Sequence, residues 1–226
     1  MPENKKNKVK FNLKNAHYAL LTVSEEGEES YGTPVALPGS VSLSLDANGE
    51  PENFYADGVA YYVINNNMGY DGDLELALIP ESFRTDVLKE EKDTKGVLIE
   101  NANVELASFA LLFEFDGDKR HIRHVLYNCS ASRPGIEGKT NEESREVQTE
   151  TLTIKATPLA NGMVKAKTGD ETDDETYNGW YSAVYMPAAS EAVSLMAKGA
   201  AVAKVPAADA PAAGNKKGGL GYEHEA

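Results

Sequence analysis

Residues 104–129 read VELASFALLFEFDGDKRHIRHVLYNC and contain the clearest hairpin pattern of the chain. Two runs, Val104–Phe115 and Lys119–Cys129, alternate apolar and polar side chains on either side of Asp116-Gly117. A period of two is typical of a half-buried strand, and Asp-Gly between two such runs is typical of a hairpin turn. The stretch therefore predicts a long, protruding antiparallel hairpin at the edge of a sheet, where it is free to pair with a neighbour.

Similar patterns continue on both sides of this hairpin. Period-two runs, each followed or preceded by a Gly-containing turn, occur at Val41–Leu45, Leu74–Leu78 and Leu152–Ala156. Val59–Ile64 is a continuous apolar run, which predicts a strand covered on both faces. Pro80-Glu81-Ser82 is typical of a helix start. Together these patterns predict a mainly β fold, an antiparallel β-sandwich or barrel with one flanking short helix.

Composition divides the chain into three parts. Residues 1–10 form a basic N-terminal arm, and residues 11–187 carry nearly all the apolar periodicity and form the β-sandwich domain. Residues 188–226 contain a predicted short helix, capped by Ser190 and closed by Lys198-Gly199, followed by an Ala/Pro/Gly-rich tail. The fold thus has extended arms at both ends.

The charge of the chain excludes several function classes. Its 226 residues include 22 Lys+Arg and 36 Asp+Glu, so the formal net charge is 22 − 36 = −14. Such a chain lacks the basic surface that neutralises phosphates, and anionic membranes repel it. With no apolar segment of about 20 residues and no signal peptide, the sequence predicts a protein made in a cytoplasm with no membrane partner.

Motifs for catalysis or metal binding are missing from the sequence. His121 and His124 lie three residues apart on a predicted strand, so they face opposite ways and do not chelate one metal. The acidic pairs around Gly72 and Gly117 do not continue into a calcium-binding loop. Cys129, the single cysteine, is interpreted as a core thiol. We therefore expect no catalytic, cofactor-binding or metal site, no cofactor and no enzyme activity.

Several short motifs, taken in order, carry a resemblance to a known family. They are Leu37-Pro38-Gly39, Tyr55-Ala56-Asp57, Gly72-Asp73-Leu74-Glu75 and Tyr185-Met186-Pro187. Residues from about 8 to 187 resemble the major tail tube protein of long-tailed, non-contractile (siphovirus-type) bacteriophages and prophages of Gram-positive bacteria. The basic arm and the C-terminal tail lie outside the resemblance.

The resemblance implies a structural virion protein. Six copies would form a ring, and rings would stack into a tail tube through which phage DNA passes during ejection. The implied partners are other copies of the chain, the tape-measure protein, the tail terminator, and the distal tail or tail-tip proteins. Genomic DNA would pass through the lumen without specific binding. The protein would be located in the phage tail, and in the host cytoplasm during assembly.

Two sets of candidate residues follow from this picture. Acidic side chains on the polar face of the predicted hairpin are candidates for a lumen that repels DNA, although Lys119 and Arg120 beside them weaken the assignment. They are Glu114, Asp116 and Asp118. Charged residues of the arm and of the loop Asp46–Ala56, together with the C-terminal tail, are candidates for contacts between rings. They are Lys5, Lys6, Lys8, Lys10, Asp46, Asn48, Glu50 and Glu52.

Two alternatives from other classes remain open at this point. The first is an Ig-like β-sandwich module for surface attachment or adhesion, against which the lack of a signal peptide or anchor counts. The second is an enzyme on a β scaffold that uses a pair of carboxylates. Acidic residues are abundant, so pairs arise by chance and no spacing favours one.

Overall fold

The period-two patterns of the sequence form a mainly antiparallel β structure, described by a computed structural model over residues 6–140 and 145–188. The chain divides into two units, Met1–Met186 and Pro187–Ala226, and the fold below is that of the first. The predicted helix at Ser190–Gly199, the C-terminal tail after residue 188 and Lys5 of the arm lie outside the described residues.

Thirteen strands and two helices occur in the described part of the chain. In chain order they are β1 (Lys10–Val23), β2 (Glu29–Tyr31), β3 (Val35–Ala36), β4 (Ser40–Asn48), β5 (Glu52–Ala56), β6 (Val59–Ile64), β7 (Gly69–Leu76), α1 (Glu81–Asp86), β8 (Glu91–Lys92), β9 (Leu98–Ile99), β10 (Phe109–Gly117), β11 (Ile122–Ala131), β12 (Glu150–Thr157), β13 (Lys165–Lys167) and α2 (Asp174–Gly179).

One antiparallel sheet contains most of these strands. Its hydrogen-bonded order is β2-β1-β10-β11-β12-β7-β4, with β3 also paired to β1 and β13 to β11. Strands β5 and β6 form a separate two-stranded ribbon, as do β8 and β9. The predicted hairpin at Asp116-Gly117 is confirmed as β10–β11, but its predicted place at a sheet edge is wrong, because β1 and β12 flank it.

The reason is that β10 is apolar on both faces. Leu111 points into one hydrophobic cluster and Leu112 into another, and both side chains are fully buried. A strand buried on both faces is stabilised only at the centre of a sheet with cover on each side. The hairpin is therefore the middle of the domain, and the protruding hairpin is the β5–β6 ribbon instead.

The inner cluster forms because the sheet folds over on itself. Tyr18 of β1 packs in the same cluster as Leu74 of β7, although four pairings separate their strands. Strands β1 and β4, near opposite ends of the path, also approach each other. Helix α1 closes the cluster with Phe83, and Val87, just after the helix, is buried in it as well. The result is the β-sandwich or barrel with a flanking short helix that the sequence predicted.

A second cluster lies on the outer face of β1, β10 and β11. The segment 159–185 covers it and contributes Trp180, whose Nε1 donates to His124 O at 3.3 Å. Helix α2 in this segment was not predicted from the sequence. Asp173 caps the helix by accepting a hydrogen bond from Thr176 N at 2.8 Å, and two acidic residues follow in the first turn.

Candidate functional site

The outward face of β7 and its two neighbours is acidic. In β7, Asp71, Asp73 and Glu75 alternate with the core residues Leu74 and Leu76 and so point away from the core. Cross-strand pairing places these carboxylates in three rows, which define the acidic sheet face. The rows are Ser42–Glu75–Thr151, Ser44–Asp73–Thr153 and Asp46–Asp71–Lys155.

Short polar side chains hold the carboxylates of this face in place. Glu75 accepts hydrogen bonds from Ser42 Oγ at 2.8 Å and Thr149 Oγ1 at 2.7 Å. Asp73 accepts from Thr153 Oγ1 at 2.8 Å. The bonds from Thr149 and Ser42 lower the pKa of Glu75, so its negative charge persists to more acidic pH. The face therefore presents fixed negative charge.

The chemistry of the acidic sheet face suits repulsion. Its three rows contain four carboxylates and one cation, Lys155, and the other members are serine or threonine. In the described part of the chain, no group of three or more His, Cys, Asp or Glu side chains has the geometry to hold a metal ion. The face is a negative surface without a large apolar side chain, and a polyanion does not adhere to such a surface. Sequence reasoning missed it, although the alternation of Leu74 and Leu76 with acidic residues was the signal.

The β5–β6 ribbon is the second unusual surface. All six residues of β6 are exposed, so the prediction of a strand covered on both faces is wrong for the single chain. Tyr55, Val59 and Tyr61 are 65%, 60% and 70% exposed. The turn residues Asp57 and Gly58 have φ of +51° and +77°, which suits the tight turn of a two-residue hairpin. In the described residues the two strands pair only with each other.

The predicted inter-ring residues of the loop Asp46–Ala56 are divided between these two surfaces. Asp46 and Asn48 belong to β4 rather than to a loop, and Asn48 Nδ2 donates to Asp71 Oδ2 at 2.8 Å. Glu50 and Glu52 lie at the base of the ribbon and are exposed. The predicted loop Asp46–Ala56 is therefore the end of one strand and the start of another.

The predicted lumen residues are bound by their own chain. Glu114 is only 2% exposed and accepts from Arg123 Nε at 3.0 Å, so burial removes it from any surface of the described chain. Asp116 pairs with Lys14 Nζ at 2.7 Å, and this contact lowers the pKa of Asp116. Asp118 accepts from Lys8 N at 2.7 Å, which lowers its pKa as well. The three carboxylates do not form one negative surface.

The basic arm is partly held against the β10–β11 turn. Asn7 Oδ1 accepts from Lys119 N at 2.9 Å, and Asn7 Nδ2 donates to Arg120 O at 2.8 Å. Lys10 begins β1, and its Nζ lies 4.5 Å from the centre of the Phe115 ring. Of the predicted arm contacts, Lys8 and Lys10 thus contact their own chain, and Lys6 precedes them in the described residues.

The single thiol is in the core, as predicted. Cys129 is fully buried, and burial raises its pKa to about 12, which leaves the thiol protonated and unreactive at neutral pH. His121 and His124 do not share a site. His121 Nδ1 lies 2.8 Å from Asp116 Oδ1 at the turn, whereas His124 stacks on Phe113 inside the sheet.

Comparisons with known proteins found no relative of this chain from which a function could be inferred. No protein-family model matches the chain, and no curated protein matches it either. Among the described residues, no helix has both the length and the apolar character needed to cross a bilayer.

Proposed function

We propose that this chain is the subunit of a self-assembling tube, a major tail tube protein of the kind found in long-tailed, non-contractile phages or prophages. The observation that carries the proposal is the β5–β6 ribbon, whose apolar and aromatic side chains have no cover in the described chain. Copies of the subunit form rings, six to a ring as in the family it resembles, and the rings stack.

The free energy of burying the ribbon supports association. Removing apolar surface from water contributes about 25 cal/mol for each Å². Exposed apolar patches rimmed by polar residues mark interaction sites, and tyrosine is enriched at the centres of interfaces. Tyr55, Tyr61 and Tyr62 are exposed on one short ribbon, so a second copy of the chain can pack against them.

The acidic sheet face supports the transport part of the proposal. DNA carries one negative charge for about every 1.7 Å of its axis, so a channel lined by carboxylates repels it and lets it slide. In the proposed tube, Asp71, Asp73 and Glu75 face the lumen in place of the turn residues Asp116 and Asp118. The hydrogen bonds from Ser42, Thr149 and Thr153 keep these side chains against the wall.

The remaining assignments follow from the tube. The partners are the tape-measure protein inside it, the tail terminator and distal tail or tail-tip proteins at its ends, and genomic DNA that passes without specific binding. The protein is located in the phage tail, and in the host cytoplasm before assembly.

Negative-stain electron microscopy of the purified chain over a range of concentrations tests the proposal. We expect rings or tubes whose number rises steeply with concentration, because association buries the ribbon. Monomers that persist at the highest concentration, also when seeded with tail-tip complexes, would contradict it.

A further inference from the structure

A cavity of about 240 Å³ opens among β1, β4, β7, β10 and β11. Six of the ten residues that line it are apolar. They include Leu43, Leu45, Phe113, Phe115 and Leu126. The imidazole of His124 also lines the cavity, 5.1 Å from the centre of the Phe113 ring and 5.5 Å from that of Phe115. Such a space suits a flat, apolar side chain.

Two of the residues that line this cavity, Lys10 and Lys165, are lysines, and a third lysine lies nearby. Lys10 Nζ lies over the Phe115 ring, and Lys165 Nζ lies 4.2 Å from the centre of the Tyr70 ring and contacts its hydroxyl. Lys167 is opposite His124 in the pairing of β11 with β13. In the described residues, none of the ion pairs includes any of these three lysines.

The titration of His124 reflects the same positive potential. Its pKa is lowered to about 4, chiefly by burial and then by the positive charges of Lys167, Lys165 and Lys10 in that order of effect. These lysines make the rim of the cavity positively charged, although the chain as a whole has a net charge of −14. Such a rim fits a ligand that combines apolar rings with carboxylates.

We propose that this cavity, which is lined by Lys10 and Lys165 and has Lys167 nearby on β13, receives the β5–β6 ribbon of a second copy of the chain. The ribbon has the matching chemistry. Between Gly49 and Gly69 it carries three carboxylates and no lysine or arginine, together with exposed tyrosine and valine side chains. The three carboxylates are Glu50, Glu52 and Asp57. Opposite charges across the interface set its register, and the apolar side chains supply most of the free energy.

The separation of the two surfaces on one chain permits a head-to-tail contact. Leu45 and Tyr70 of the cavity lie next to Asn48 and Gly69, where the ribbon leaves β4 and joins β7. Ribbon and cavity are different surfaces, so a copy that gives its ribbon to one neighbour still has a free cavity for another. Such head-to-tail contacts generate rings when the rotation closes. The inference rests on the proposed tube function and names the surface that accepts the ribbon.

Disulfide trapping between two chains that each carry one introduced cysteine tests the contact. One full-length chain carries Val59→Cys on the ribbon, and a second, distinguished by an affinity tag, carries Lys165→Cys at the cavity. Cys129 is buried and does not compete. The matched control replaces Lys165→Cys with Lys95→Cys, an exposed lysine in the turn between β8 and β9. A second pair, Tyr61→Cys with Lys10→Cys, tests the same contact independently in case a variant of the first pair does not fold.

We expect about tenfold more mixed disulfide dimer from each ribbon–cavity pair than from the control, because docking raises the effective concentration of the two thiols. Equal yields from both cavity pairs and the control overturn the inference. Electron microscopy of the unmodified chain separates the two proposals. Tubes without excess trapping refute only the cavity contact, and excess trapping without rings or tubes refutes only the tube. The absence of both refutes both.

Discussion

Glu114 of β10 and Arg123 of β11 face each other across the central hairpin, with 3.0 Å between Glu114 Oε2 and Arg123 Nε. Asn15 Nδ2 donates to the other carboxylate oxygen at 2.6 Å, and the Tyr181 hydroxyl donates to Oε2 at 3.2 Å. The guanidinium lies 3.9 Å from the centre of the Tyr177 ring. The pair thus joins β1, the central hairpin and the C-terminal part of the domain.

Replacing Arg123→Leu should destabilise the domain strongly. The substitution leaves the Glu114 carboxylate buried without a cation, and removing one partner of a buried ion pair costs about 3–5 kcal/mol. Arg123 retains some solvent contact, so we expect a loss of about 3 kcal/mol in the free energy of unfolding, measured by urea denaturation.

The control for this prediction is Lys14→Leu, which removes the more exposed pair with Asp116. Because exposed ion pairs contribute little, we expect a loss below about 1 kcal/mol. Equal effects of the two substitutions would contradict a structural role for the Glu114–Arg123 pair.

The local pattern of the sequence predicted the elements but not their neighbours. Alternation around Asp116-Gly117 identified both strands of the hairpin, and Pro80-Glu81-Ser82 identified the start of α1. The placement of β10 beside β1 depends on a pairing about 95 residues apart in sequence, such as His17 with Leu112. A period of two contains no information about that distance.

The burial of Glu114 also depends on a segment that is distant in sequence. Glu114 lies on the same face as Ala110 and Leu112, and that face is covered by residues 159–185. Without knowing that residues 159–185 cover this face, one cannot tell from the sequence whether an acidic residue near a turn is buried or exposed. The acidic sheet face was also missed, but here the signal was local, because Asp73 and Glu75 alternate with Leu74 and Leu76 within one strand.

His124 should make the stability depend on pH. Its pKa is about 4 in the folded chain and 6.5 ordinarily, so below pH 6.5 the unfolded chain binds a proton that the folded chain does not. Stability is therefore fully present above pH 6.5 and falls as the pH decreases towards 4. The shift predicts a loss of up to about 3 kcal/mol, measured by urea denaturation at pH 7.5 and 4.5.

The variant His124→Phe isolates this effect, since phenylalanine stacks on Phe113 without titrating. The pKa values of carboxylates such as Asp116 and Asp118 are lowered in the folded chain. These groups make the same contribution to the pH dependence of the free energy of unfolding in the wild type and in the variant. We expect the variant to lose clearly less stability between pH 7.5 and 4.5. Identical pH profiles would show that His124 titrates normally in the folded chain.

The double variant Tyr61→Ser, Val63→Ser tests the role of the ribbon. Both side chains are exposed in the single chain, so we expect the free energy of unfolding of the monomer to change by no more than about 0.5 kcal/mol for each substitution. Assembly should fail or need a much higher concentration, as measured by sedimentation and electron microscopy, because the apolar contact is lost. Ile136→Ser, at a fully exposed position in the loop before β12, is the control and should assemble normally. Normal assembly of the ribbon variant would exclude the ribbon from the interface.

Reversing charges on the acidic sheet face tests its contact with DNA. In the double variant Asp73→Lys, Glu75→Lys, both side chains still point away from the core, so we expect the fold and the tubes to form. Lysines facing the lumen would bind phosphates, and DNA would be retained in a salt-dependent way, with a slope of log K against log salt of about −0.9 for each phosphate contacted. Cosedimentation of DNA with purified tails at several salt concentrations measures this. The control is Asp170→Lys, Glu171→Lys, which makes the same charge change on an exposed loop before α2. If the control tails retain as much DNA as the sheet-face variant, or if neither retains any, the face does not line the channel.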